Sequence, residues 1–137
     1  MNVLALNWEA VAVSVIAGQV ISTIWFVVLF GGLWANEYGA ENKQQHASEI
    51  PPCTYGVQLL CTVALALSLA LLHQALNVES ILDSLKLGVF VSVGFCIATG
   101  LPGQAFLKRW RVAAIALGSQ VAMIIGFLSS WDCGFKA

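Results

Sequence analysis

The sequence predicts an all-α integral membrane bundle of four transmembrane helices, with both termini on the same side. Three observations predict it. The charge-free windows Ala10–Asn36, Ile50–Val78, Leu87–Leu107 and Val112–Trp131 alternate with short segments that hold nearly every charge. Each window meets the requirement of roughly 20 residues for a helix to cross about 30 Å of hydrocarbon. Only 9% of the 137 residues are charged, against about 25% in soluble domains, and the mean hydropathy is +0.85. A soluble domain this small has too little interior to hide 59% hydrophobic residues. Hydrocarbon accepts them but offers the backbone no partners, so each stretch must satisfy its own amides as a helix.

The elements follow in order within a single domain, 1–137. Span 1 is placed at 8–30, ending at Gly31-Gly32. No Lys or Arg precedes it and no small-residue cleavage site follows a short apolar core, so it reads as a permanent span. Residues 35–51 form the only polar stretch, with Asn36, Glu37, Glu41, Lys43 and His46, and predict a solvent loop with room for one helical turn. Pro51-Pro52 suits the first turn of span 2, at 52–76, where a missing N–H costs nothing. Ser80-x-x-Asp83 has capping-box form and opens span 3, at 81–105. Gly100, Pro102 and Gly103 predict a kink or an early stop at its far end. The tight connection Lys108-Arg109-Trp110-Arg111 makes a hairpin with span 4, at 110–131.

Orientation follows from the basic residues. Lys43, Lys108, Arg109 and Arg111 fall in the odd connections, against Lys86 and Lys136 at the other end. The expected topology places both termini on the non-cytosolic side, in a membrane the sequence leaves unidentified. Trp8 and Trp131 fall at one predicted interface, Trp34 and Trp110 at the other, as an aromatic belt would. Lys108, Arg109 and Arg111 are read first as topology anchors and second as lipid or partner contacts. Glu9, Glu79, Asp83 and Asp132 gather at the terminal side as a solvated rim.

Small residues recur every fourth position, which keeps them on one helix face. They are Ala10, Ser14, Gly18 and Ser22 in span 1, and Thr62, Ala66 and Ala70 in span 2. Span 3 has Gly88, Ser92, Cys96 and Gly100; span 4 has Ala114, Gly118, Ala122, Gly126 and Ser130. Such ridges let backbones approach closely, and four of them predict a compact bundle. So small a bundle leaves some ridge unburied, which predicts a homo-oligomer or a subunit of a larger membrane complex, with the lipid bilayer as the other partner.

Polar side chains deep in lipid are functional suspects. Gln19 and Gln120 sit near the middle of spans 1 and 4 and are read as a polar clasp or, with Ser92, as the lining of a pore. His73 falls near the end of span 2 and reads as an interfacial hydrogen-bonder. No acid or base lies at mid-depth, which argues against a proton-coupled transporter. There is no H-E-x-x-H, G-x-S-x-G or phosphate-binding loop, so no enzyme, metal or cofactor is expected. The four cysteines, Cys53, Cys61, Cys96 and Cys133, form no C-x-x-C pair and read as small buried hydrophobes. A net charge of −1 gives no basis for binding nucleic acid.

Asn7-Trp8 opening span 1, then Trp25-Phe26, Leu29-Phe30-Gly31 and Trp34, resemble the start of a small membrane family known as domain of unknown function 1761. The resemblance extends through the basic connection to Gly118-Ser119-Gln120 in span 4. It implies a four-span fold and no established activity. Many members carry a Gly-aromatic-His there, so Gln120 departs from the pattern and any role for that imidazole is in doubt in this chain. The reading is a non-enzymatic structural or accessory subunit, with a small oligomeric channel or passive carrier as the alternative.

Overall fold

The computed structural model describes residues 3–134, with side chains over 4–131. Asp132, Cys133 and Lys136, assigned above to the rim and the tail, lie outside the described side chains. Four helices are long and apolar enough to cross a membrane: Trp8–Leu29, Pro52–Ala75, Ile81–Phe106 and Trp110–Trp131. Each lies within a residue or so of its expected bounds.

Local chemistry explains where they begin. Helix α1 (Trp8–Thr23) is capped by Asn7, whose Oδ1 accepts from the Ala10 N–H at 3.1 Å. It continues as one wide π-helical segment, Ile24–Leu29, closed by the Phe30 N–H donating to the Trp25 carbonyl at 3.0 Å. Two short helices follow, α2 (Gly31–Glu37) and α3 (Lys43–Glu49). The polar stretch is therefore more helical than a solvent loop. Asn42 starts α3 by accepting from the Gln45 N–H at 2.8 Å, which satisfies one of the first-turn donors. The end of span 1 at Gly31 is a change of helix rather than a stop.

Helix α4 (Pro52–Ala75) opens on Pro51-Pro52 as expected. Helix α5 (Ile81–Val91) is capped by Ser80, whose Oγ accepts from the Asp83 N–H at 3.2 Å and donates to the Asp83 carboxylate at 2.8 Å. A second π-helical segment, Ser92–Ile97, joins it to α6 (Ala98–Phe106). Pro102 does not stop this span, which runs on to Phe106. A proline removes one backbone donor, and a neighbouring widened turn is one of the adjustments that re-satisfy the freed groups in transmembrane helices. Helix α7 (Trp110–Gly134) completes the fold.

Helix α7 is the centre. It packs against α5, α1 and α6, and more lightly against α4. Its Phe127, Ile124 and Leu128 have no exposed surface and fill the bundle axis. The small-residue ridges behave differently from the thin-ridge expectation. In spans 1 and 3 they receive large side chains instead of opposing small ones: Phe127 lies over Gly18 and Leu128 over Gly88. In span 4 the roles reverse, with Trp25 over Gly118 and Ile21 over Gly126. Ser14 and Ser22 are buried along the same α1 face as Gly18.

Trp131 departs from the belt expectation. It is buried, its indole N–H donates to the Ala10 carbonyl at 3.3 Å, and its ring stands edge-on to His73 at 5.5 Å. His73 in turn meets the buried Ser84 hydroxyl at 3.3 Å. That end of the bundle is a polar knot tying all four spans. Trp8 and Trp110 remain exposed, as belt residues should be.

Candidate functional site: two clefts on the central helix

The two π-helical segments face α7 and divide its surface. Consecutive residues of each segment point to different sides: Trp25 and Ile97 line one cleft, Phe26 and Cys96 the other. Along α7, Ala114, Gly118 and Ala122 belong to the first cleft, and Ser119, Gln120 and Met123 to the second. At 100° per residue these sets lie on roughly opposite helix faces. A π turn shifts the side-chain register by one residue, and such turns gather at functional sites.

The first cleft, of about 620 Å³, is a groove between α6 and α7. Its walls are Ile97 and Leu101 on one side and the small residues of α7 on the other, with Trp110 at its end. Trp25 forms the floor and is fixed there: its indole N–H donates to the Ile115 carbonyl at 2.8 Å. No charged residue lines it.

The second cleft, of about 320 Å³, opens between α4 and α7. Phe26, Leu65, Ala116 and Met123 make its apolar wall, and Gln58, Cys61, Thr62, Cys96, Ser119 and Gln120 bring polar atoms to it. The hydroxyls are already used. Thr62 donates to the Gln58 carbonyl at 2.9 Å, and Ser119 to the Ala116 carbonyl at 2.8 Å. The amides of Gln58 and Gln120 are exposed and have no hydrogen-bond partner among the described residues.

The predicted Gln19–Gln120 clasp does not form. Gln19 donates from Nε2 to the buried Thr62 Oγ at 3.0 Å, tying α1 to α4. Helix α4 lies against α1, whereas Gln120 turns to the open cleft, so the two amides at similar depth never meet. Ser92 is buried, and its hydroxyl has no partner among the described residues. Cys96 is half-buried at the cleft, while Cys53 and Cys61 are exposed. The reading of the cysteines as buried hydrophobes therefore fails for these two. Trp25 and Gln58 were missed. Each carries a polar atom inside an uncharged window, the signal that singled out Gln19 and Gln120.

The basic connection is engaged within the chain. The Arg109 guanidinium donates to the Glu37 carbonyl at 3.1 Å and lies 5.0 Å from the centre of the Tyr38 ring. Arg111 pairs with the Glu37 carboxylate at 3.8 Å. Tyr38 stacks on His46 and packs against Trp34, which meets Phe26 edge-on. Two helices that looked like a loop are thereby docked onto the α6–α7 turn. Lys108 stays exposed.

Residues 9–128 match a family described as a protein of unknown function, DUF1761. The chain belongs to the DUF1761 family. The match runs from the second residue of α1 through α6 and most of α7, so both clefts lie within the DUF1761 region. No curated protein and no solved structure matches the chain.

Proposed function

We propose that this DUF1761 protein is a non-enzymatic subunit that assembles through the α6–α7 groove, with a second copy of itself or within a larger membrane complex. One observation carries the reading. The ridges of spans 1 to 3 are largely buried within the chain, whereas Ala114 and Ala122 line an open groove on either side of Gly118, which Trp25 covers. In lipid the gain on association comes from van der Waals packing, and small residues on a rigid floor let another helix approach most closely. The locked Trp25 indole supplies that floor. Neither cleft brings a carboxylate, imidazole or ammonium group to its lining, which favours a packing role over acid–base catalysis.

A channel or passive carrier is the second reading, favoured by the mid-span amide of Gln120 at an open cleft. The other two residues expected to line it, Gln19 and Ser92, turn inward, so a polar path would have to be built between chains. The basic end of the bundle is read as cytosolic and both termini as non-cytosolic.

Native mass spectrometry of the chain extracted in mild detergent tests assembly. The expected result is an oligomer or a co-extracted partner that Ala114→Leu and Ala122→Leu dissociate while the fold persists. A monodisperse monomer with an intact fold would sink the reading.

A further inference from the structure

The second cleft offers different chemistry, on the face of α7 away from the proposed assembly groove. Gln120 lies at the middle of its span, about 15 Å along the helix from Trp110 at 1.5 Å per residue. Gln58 lies about 9 Å along α4 from Pro52 by the same rise, also within the hydrocarbon. Two unpartnered amides at that depth are costly, because lipid tails accept no hydrogen bonds. They are not scattered. Both line one cleft of about 320 Å³, whose two hydroxyls, on Thr62 and Ser119, are spent inside the protein.

We propose that this cleft binds a neutral, lipid-soluble molecule with a compact carbonyl-bearing head, reaching it sideways from the bilayer. Each element of that description has a cause. The lining carries no formal charge, so an anionic or cationic head would find no counter-charge in a low dielectric. The two glutamines leave four N–H donors as well as the lone pairs of two carbonyls, and a carbonyl-bearing head accepts from those donors while staying lipid-soluble. Phe26, Leu65 and Met123 offer an apolar and polarisable wall for a flat ring or an acyl stem. The volume falls at the small end of ordinary ligand pockets. Gln58 and Cys61 are exposed on the open side, where the ligand would arrive.

The test uses the full chain in nanodiscs with a short-tail isoprenoid benzoquinone and a monoacylglycerol as probes. Binding is read by titration, and by protection of Cys61 and Cys96 from a membrane-permeant maleimide, quantified at each cysteine by mass spectrometry. The expected result is saturable binding of at least one probe, slower labelling of both cysteines, and affinity weakened about tenfold by Gln58→Leu or Gln120→Leu. The corresponding tail without carbonyl groups should not bind saturably. Absence of saturation for both probes, or unchanged affinity in a folded Gln58→Leu/Gln120→Leu double variant, would overturn the proposal. Ala114→Leu should leave this binding intact, so the failure of either proposal is visible without the other.

Discussion

Phe127 and Gly18 fit together with no room to spare: a Cβ built on Gly18 would lie 2.6 Å from the Phe127 Cζ. Phe127 has no exposed surface, and the same Cβ would also lie 3.0 Å from the Thr62 methyl, so the added group has no side to turn to. With Ile21 over Gly126 and the Trp131–Ala10 hydrogen bond, this contact joins α7 to α1. Gly18→Ala should therefore destabilise by about 1–3 kcal/mol, the usual range for overpacking a tight core. Reversible unfolding in bicelles measures it. Phe127→Leu in the same chain should restore part of the loss, because it removes the ring the new methyl strikes.

Arg109 and Arg111 look equivalent in sequence and are not. The Arg109 guanidinium is half-buried, donates to a helix-terminal carbonyl and stacks on Tyr38. The Arg111 side chain is 80% exposed in a pair 3.8 Å long. An exposed pair is worth about 0–1 kcal/mol, whereas Arg109 combines a charge-assisted hydrogen bond with a cation–π contact. Arg109→Ala should raise amide hydrogen exchange across α2 and α3 while the spans stay protected. Arg111→Ala should leave both regions near wild type.

The contrast shows what the sequence could disclose. The spans were legible because burial in lipid is a property of composition over 20 residues, and Ser80 and Pro52 mark starts through local geometry alone. The docking of α2 and α3 was not, because residues 31–49 carry no long apolar period; Tyr38, His46 and Arg109 meet only through tertiary contact. The polar residues at mid-depth were legible as suspects but not as pairs. Depth fixes how far along a helix Gln19 lies, whereas its partner depends on which neighbour its face meets. The two π-helical segments, which send Trp25 and Phe26 into different clefts, have no sequence signal comparable to a cap.

Lys108 turns the α6–α7 connection with φ at +54°. Its N–H donates to the Ala105 carbonyl at 3.0 Å and that of Arg109 to the Gln104 carbonyl at 3.0 Å, closing the end of α6. A left-handed residue with a Cβ costs about 1–2 kcal/mol, and glycine is the residue such helix ends favour. Glycine also costs roughly 0.5–1 kcal/mol in chain entropy. Lys108→Gly should raise stability by about 0.5–1 kcal/mol in the same unfolding assay. If it is neutral or destabilising, the exposed Lys108 ammonium contributes through headgroup contact more than its backbone costs.

The Gln19–Thr62 bond predicts an asymmetric pair of effects. Thr62 is 2% exposed and works in both directions, accepting from Gln19 and donating to the Gln58 carbonyl. Thr62→Val keeps the shape but leaves the Gln19 amide without a partner in hydrocarbon. Gln19→Leu removes the amide itself, and the Thr62 hydroxyl still has its carbonyl. Thr62→Val should therefore be the more destabilising single change, and adding Gln19→Leu to it should recover stability. A double-mutant cycle should give a coupling of about 0.6 kcal/mol, with roughly 1.7 kcal/mol as the upper end for hydrogen bonds between transmembrane helices. A coupling of zero would mean that the Gln19 amide finds an equivalent partner elsewhere, and that α4 is held to α1 by packing alone.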